Sequence, residues 1–242
     1  MNRLAGYSFI PLLLSAFLLS SCGIKVVKGS GDITREDRSV SGFDSIEFSG
    51  FGRLLVSQGD EETLSIEVDD NLLQYINTEV VGNTLMIDFD DNVLLRPADS
   101  IIFRLSVIDL KSIDVSGAGS FEVGELAADT LDVTMSGAGK IDIDSIEAAE
   151  LRVVVNGAGS IDIAGTVDTQ EIDVSGVGDF NALDLESEQA RVNISGAGDA
   201  DLWVHEVLSI TISGAGSVSY YGDPEVSQSV SGLGSVKSRG ER

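Results

Sequence analysis

Basic residues are scarce in this chain: 15 Lys and Arg stand against 40 Asp and Glu, a formal charge of −25. Such a charge opposes contact with an anionic membrane face and leaves nucleic acid out as a partner. Cysteine occurs once, at Cys22, so disulfides cannot staple the fold. Histidine also occurs once, at His205, and any Ser-His-Asp arrangement would have to use it. That histidine alternates with apolar residues in DLWVHEVLS and reads as a solvent-facing or edge side chain. Proline is rare, three copies beside 27 glycines, in a chain rich in Val, Ile, Leu, Asp and Ser. This balance points to many short strands and tight turns, an all-β composition. The apolar run from Phe9 to Leu19 is too short to span a membrane as a stable helix.

That run follows Arg3 and precedes small residues, the layout of a secretory signal. Leu19-Ser20-Ser21-Cys22 resembles the bacterial lipobox, whose cysteine is lipidated and becomes the first residue of the mature chain. Residues 1–21 are therefore expected as a lipoprotein signal peptide, Cys22 as the lipid attachment site and 22–40 as a polar tether. Several acyl chains on one cysteine, at about 0.8 kcal/mol per buried CH₂, hold a protein durably on a membrane. Gly23 replaces the aspartate of an inner-membrane retention signal, which favours an outer-membrane lipoprotein. GIKVVKGSG lacks the acidic run found in many surface-exported lipoproteins, so periplasmic-facing and cell-surface orientations both stay open.

A repeat dominates the rest. Ser/Asn-Gly-x-Gly begins at Ser49, Ser116, Ser136, Asn156, Ser175, Ser195, Ser213 and Ser231, with steps of 20, 20, 19, 20, 18 and 18 residues from Ser116 onward. Before each centre, apolar residues sit two apart, as in Ile113 and Val115 or Val153 and Val155; after it, Phe121 and Val123 or Ile141 and Ile143 do the same. Period two means strand. Each repeat reads as strand, Gly-x-Gly corner, strand and a looser corner near Leu126, Ile146, Val167 or Leu185, with two or three short strands per turn. One such coil cannot bury its apolar row alone, so the coils must stack as a parallel β-solenoid, about 4.8 Å apart. Glycine suits the corner because it accepts positive φ and lets neighbouring backbones approach. The alanine between the glycines, replaced by Val177 and Leu233, is expected to point inward, and the serine to bond nearby backbone.

Residues 41–110 are less regular. Hairpins are expected at QGDEE and VGNT, and a helical turn at Asn71 to Ile76, in an N-terminal half of the same sheet system. Residues 111–236 hold the repeats, and the basic tail 237–242, KSRGER, is expected to fray.

SGFDSIEFSG, VDDNLLQYINTEV and the SGAGS ladder resemble the GIN-domain family (DUF2807, an auto-transporter adhesin head domain), over about residues 40–236. The resemblance implies a β-helix-like fold without the catalytic residues of the pectin lyases, and an adhesive role.

The residues themselves carry several chemical readings. A phosphate loop would need a helix after the glycines, and here a strand follows every time. Calcium-binding β-rolls use a nine-residue period, not this one. Glu122, Asp142, Asp162 and Asp201, supplemented by Asp114, Asp132 and Asp173, are expected to form an outward acidic ladder. Side by side in water such charges repel by under about 1 kcal/mol each, so the ladder can stand without a metal. Repeats of 18 to 20 residues leave no room for loops that could wall a catalytic cleft. The chain is therefore read as non-enzymatic, with no catalytic, cofactor-binding or metal residues assigned. Trp203, Tyr220 and Tyr221 read as core or end-capping residues ahead of the other reading they admit, a small aromatic patch for a sugar or a partner. The function expected is a lipid-anchored binding or adhesion module for a protein or glycan. The alternatives are a periplasmic structural or signalling scaffold and a degenerate carbohydrate-active enzyme. Oligomeric state is not encoded in any of these features.

Overall fold

The structure is a computed structural model and describes residues 25–242. The segment expected as a signal peptide, residues 1–21, and Cys22 lie outside the described residues. The chain is an all-β solenoid with a less regular N-terminal portion, as the repeat predicts. Its coils stack in parallel register: Ala118 pairs with Ala138 and Ala138 with Ala158, while Phe121, Ile141, Ile161 and Phe180 form one column. The inward columns are fully buried, among them Phe48, Val115, Met135, Val155, Val174, Ile194 and Ile212. Each buried side chain lies over its counterpart one coil away, so the core is a stack of aliphatic rows that no single coil could form.

The strands are longer than the alternation suggests. Ala118–Met135, Ala138–Val155, Ala158–Val174 and Val177–Ile194 run unbroken through the looser corner. The corner bends without breaking because parallel pairing persists across it, as in Leu126 with Ile146 and Ala127 with Glu147. The 19-residue step is absorbed at Gly165, where φ is 129° and the register shifts by a bulge.

Three features of the Gly-x-Gly corner differ from expectation. Positive φ is confined to Gly52 and Gly119 in this ladder; the other corner glycines are required by space. A Cβ on Gly157 would lie 1.9 Å from the Gly137 carbonyl oxygen, and one on Gly196 2.0 Å from that of Gly176. The central alanines point outward: Ala118, Ala138, Ala158, Ala197 and Ala215 are exposed, as are Val177 at 65% and Leu233 at 90%. Outward placement explains why larger residues are accepted there. Two corner serines reach the neighbouring coil instead of local backbone, Ser116 Oγ to Ser49 Oγ at 3.0 Å and Ser175 Oγ to Asn156 Oδ1 at 2.6 Å.

At the N-terminal end phenylalanines fill the stack. Phe48 meets Phe103 and Phe121 edge-on at 5.4 and 5.0 Å, and Phe51 stacks on Phe89 at 5.0 Å. VGNT is a hairpin, with Gly82 at φ 66° and Val81 paired to Thr84. QGDEE is not. Strand Ile102–Val107 inserts between Phe51–Gln58 and Thr63–Asp69, parallel to the first and antiparallel to the second. The expected helical turn is a single 3-10 turn, Leu73–Tyr75. The stretch read as a tether also differs from expectation: Lys25–Lys28 pairs with Val93–Arg96, and Ile33–Arg38 with Thr63–Asp69. The tail is docked, with Arg239 N bonded to Tyr220 O at 2.8 Å and Gly222 N to Gly240 O at 2.9 Å.

Candidate binding surface

The acids after the Gly-x-Gly corner fall in one outward row, Glu122, Asp142, Asp162 and Asp201, with the amide of Asn181 in the place between the last two. The structure brings them together as the sequence predicts, but the row is cross-braced. Arg53 Nη2 lies 2.7 Å from Glu122 Oε1, and Lys140 Nζ reaches Asp142 at 2.5 Å and Asp162 at 3.1 Å. Asn181 Nδ2 donates to Asp162 Oδ1 at 2.9 Å, and Arg239 Nη2 pairs with Asp201 at 2.7 Å. Hydrogen bonds to Asp142 and then Asp162 raise the Lys140 pKa, so its ammonium stays charged. Partnered in this way, the row has little remaining pull on a free cation.

Asp114 and Asp173 share a second row, interrupted by Thr134 and Val154, while Asp132 belongs to a different one. Asp132 aligns with Arg152, Glu171 and Arg191 in alternating sign, the arrangement that favours neighbouring strands. Thus the three supplementary acids do not extend the ladder.

Unbraced acidity collects at the looser corner. Asp109, Asp129, Glu147 and Asp168 rim a shallow groove of about 600 Å³ whose floor includes Ala127, Ala128, Ala148 and Ala149. An adjoining depression of about 580 Å³ adds Asp60 and Glu125. Small side chains bring the backbone to the surface, and the carboxylates give it one sign. These residues were missed in the sequence; the signal was present as LAAD and EAAE, small residues bounded by acids in successive repeats, although the two stretches sit one residue out of step, with Ala127 opposite Glu147 and Ala128 opposite Ala148. Their chemistry suits an extended, cationic or hydrogen-bonding partner. Among the described residues, no three acidic or imidazole groups cluster as a metal would need.

His205 is exposed, as its alternation predicts, with Nε2 3.9 Å from Glu186 Oε2 and its ring 5.6 Å from Trp203. Trp203 pairs in register with Tyr221, and the tail closes over both: Arg242 sits 4.8 Å above the Trp203 ring and Arg239 5.9 Å from Tyr221. The tail therefore covers these two aromatics, which stand in one row on neighbouring coils.

Asp44, the aspartate of SGFDSIEFSG, knits three elements. It accepts from Lys111 Nζ at 2.6 Å and Asn83 Nδ2 at 2.5 Å, and the Lys111 bond is the main cause of its lowered pKa. Asp69, which opens DDNLLQY, is fully buried; its carboxylate accepts from Gly31 N at 2.7 Å and Ala98 N at 2.9 Å. The residues that carry the family resemblance thus hold the N-terminal portion together.

Comparison with known proteins agrees with this architecture. A crystal structure from Bacteroides fragilis described as a "putative adhesin" is 26% identical, with a TM-score of 0.85, covering 88% of this chain and 99% of its own. One from Parabacteroides distasonis described as a "putative lipid binding protein" is 27% identical, with a TM-score of 0.73 and the same coverage of 88% and 99%. A Parabacteroides merdae structure at 22% identity and TM-score 0.69, covering 88% of this chain and 99% of its own, shares the fold. No curated protein sequence matches. The family profile described as "Putative auto-transporter adhesin, head GIN domain" matches residues 42–224, and the chain belongs to this DUF2807 family.

Proposed function

We propose that the protein is a non-catalytic binding or adhesion module of the cell envelope, anchored in the outer membrane through lipidated Cys22. The observation that carries this reading is the outward surface itself: its side chains stand in register from coil to coil, as in the acidic row Glu122, Asp142 and Asp162, with no inserted loop between them. A surface of this kind meets an extended partner at several equivalent points, and each weak contact adds to the others. The unbraced acidic groove at Asp129, Glu147 and Asp168 is the part of it with chemistry left to offer a protein or glycan. The relatives described as adhesins support the same reading.

Anchoring and display are tested together. Metabolic labelling with a palmitate analogue is expected to mark the wild-type chain and not Cys22→Ala. Protease treatment of intact cells is expected to remove the wild-type protein. Protection from protease would place it in the periplasm and favour a scaffold; labelling of Cys22→Ala would refute the anchor.

A further inference from the structure

Away from the acidic groove, the N-terminal portion holds a cleft of about 750 Å³, within the ~300–1,000 Å³ of small-molecule sites. Its floor is the outer face of four paired strands and carries two cross-strand rows. Asp37, Ser65, Arg104 and Leu55 form one; Thr63, Ser106 and Ser57 form the other. Arg35 and Glu62 stand at its margin.

The charges here are already matched. Arg104 Nη1 lies 2.9 Å from Glu67 Oε2, Arg35 Nε 3.8 Å from Asp37, and Arg38 Nε 2.7 Å from Glu36 Oε1, an ion pair by distance in which the buried Nε–H is not aligned for a hydrogen bond. A free anion would have to displace a carboxylate from these arginines, and a free cation would meet guanidinium groups. What the cleft offers is an interleaved set of donors and acceptors around a line of hydroxyls. Ser65 adds a second, independent sign: it is only 4% exposed, and its hydroxyl has no hydrogen-bond partner among the described residues. Leaving a buried hydroxyl unsatisfied is costly, and a ligand oxygen that engages it removes that cost.

We propose that this cleft binds a neutral saccharide. Sugar hydroxyls both donate and accept, so one ring can satisfy Ser65, accept from Arg104 and donate to Asp37 at once, which neither a simple anion nor a cation can do. Leu55 and Val40 supply apolar surface for a ring face. The proposal rests on the reading of the protein as a binding module, but not on its anchoring or its orientation at the membrane.

The test is titration of the ¹⁵N-labelled chain with maltose, lactose, cellobiose and chitobiose, with glucuronate as a charged control. At least one neutral sugar is expected to shift amides of residues 35–38, 63–65 and 104–106 at millimolar concentration. Arg104→Gln should weaken binding about tenfold. Ser65→Ala should weaken it severalfold while leaving the melting temperature unchanged or raised, because it deletes an unpaired polar group; a merely structural serine would leave affinity unmoved. Absence of shifts with all four sugars, shifts confined to the acidic groove, or affinity indifferent to both variants would overturn the proposal. None of these outcomes bears on whether cell-surface protease removes the protein, so the two readings fail separately.

Discussion

Gly137 lies so close to Gly117 that a Cβ on it would fall 1.8 Å from the Gly117 carbonyl oxygen. Backbone cannot yield as a flexible side chain does, and the same contact recurs from Gly117 to Gly232. Gly137→Ala is therefore expected to destabilise by about 3 kcal/mol, the upper part of the range for overpacking. For a chain of this size that is roughly a 6–12 °C drop in melting temperature. Ala138→Val, one residue on and outward, should melt within about 2 °C of wild type, since Val177 already occupies the equivalent position.

Asp69 predicts a different kind of loss. Its carboxylate satisfies the backbone N–H groups of Gly31 and Ala98, tying the first strands and a loop to the sheet. Asp69→Ala leaves both donors unpaired, at about 1–3 kcal/mol each where they stay buried. The expected outcome is a lower melting temperature together with new proteolytic cleavage in residues 29–33, while cleavage in the repeats stays unchanged. Loss of protection spread over the whole chain would show instead that the N-terminal portion caps the solenoid.

These two positions mark what was legible in the sequence. The repeat and its strands were legible because the glycine spacing and period-two apolar residues are local patterns, renewed in each coil. Asp69 was not, since its partners lie 38 and 29 residues away and its role depends on how the strand Ile102–Val107 threads the sheet. Alternation gives the period of a strand but not which way an isolated small residue faces, and the alanines were misplaced for that reason. The tail was misread because its anchors, Asp201 and the aromatic pair Trp203–Tyr221, sit on other coils. For the surface, the acidic row was visible, while its neutralisation required knowing that Lys140 and Arg53 occupy an adjoining column.

The Asp44 tie should respond to pH. Its hydrogen bond from Lys111 lowers the folded-state pKa below the unfolded value of about 3.9, so its contribution is present above that value. It is lost as pH falls through the folded pKa. Asp44→Ala is therefore expected to melt below wild type at pH 7, and the two curves should converge as pH falls below about 3.9. A difference that persists undiminished into strong acid would rule out the charged bond as its source.

Calcium provides the sharpest test of the acidic row. Arg53, Lys140 and Arg239 already partner Glu122, Asp142, Asp162 and Asp201, so a divalent ion would have to displace them. Millimolar calcium is therefore expected to raise the melting temperature no more than sodium chloride of equal ionic strength. Both salts should help modestly by screening self-repulsion in a chain of charge −25. Neutralising the unbraced groove with Asp129→Asn, Glu147→Gln and Asp168→Asn should reproduce part of that gain at low salt and flatten the salt dependence. A calcium-specific rise that survives this triple variant would locate a metal site in the braced row; one abolished by it would assign the site to the groove.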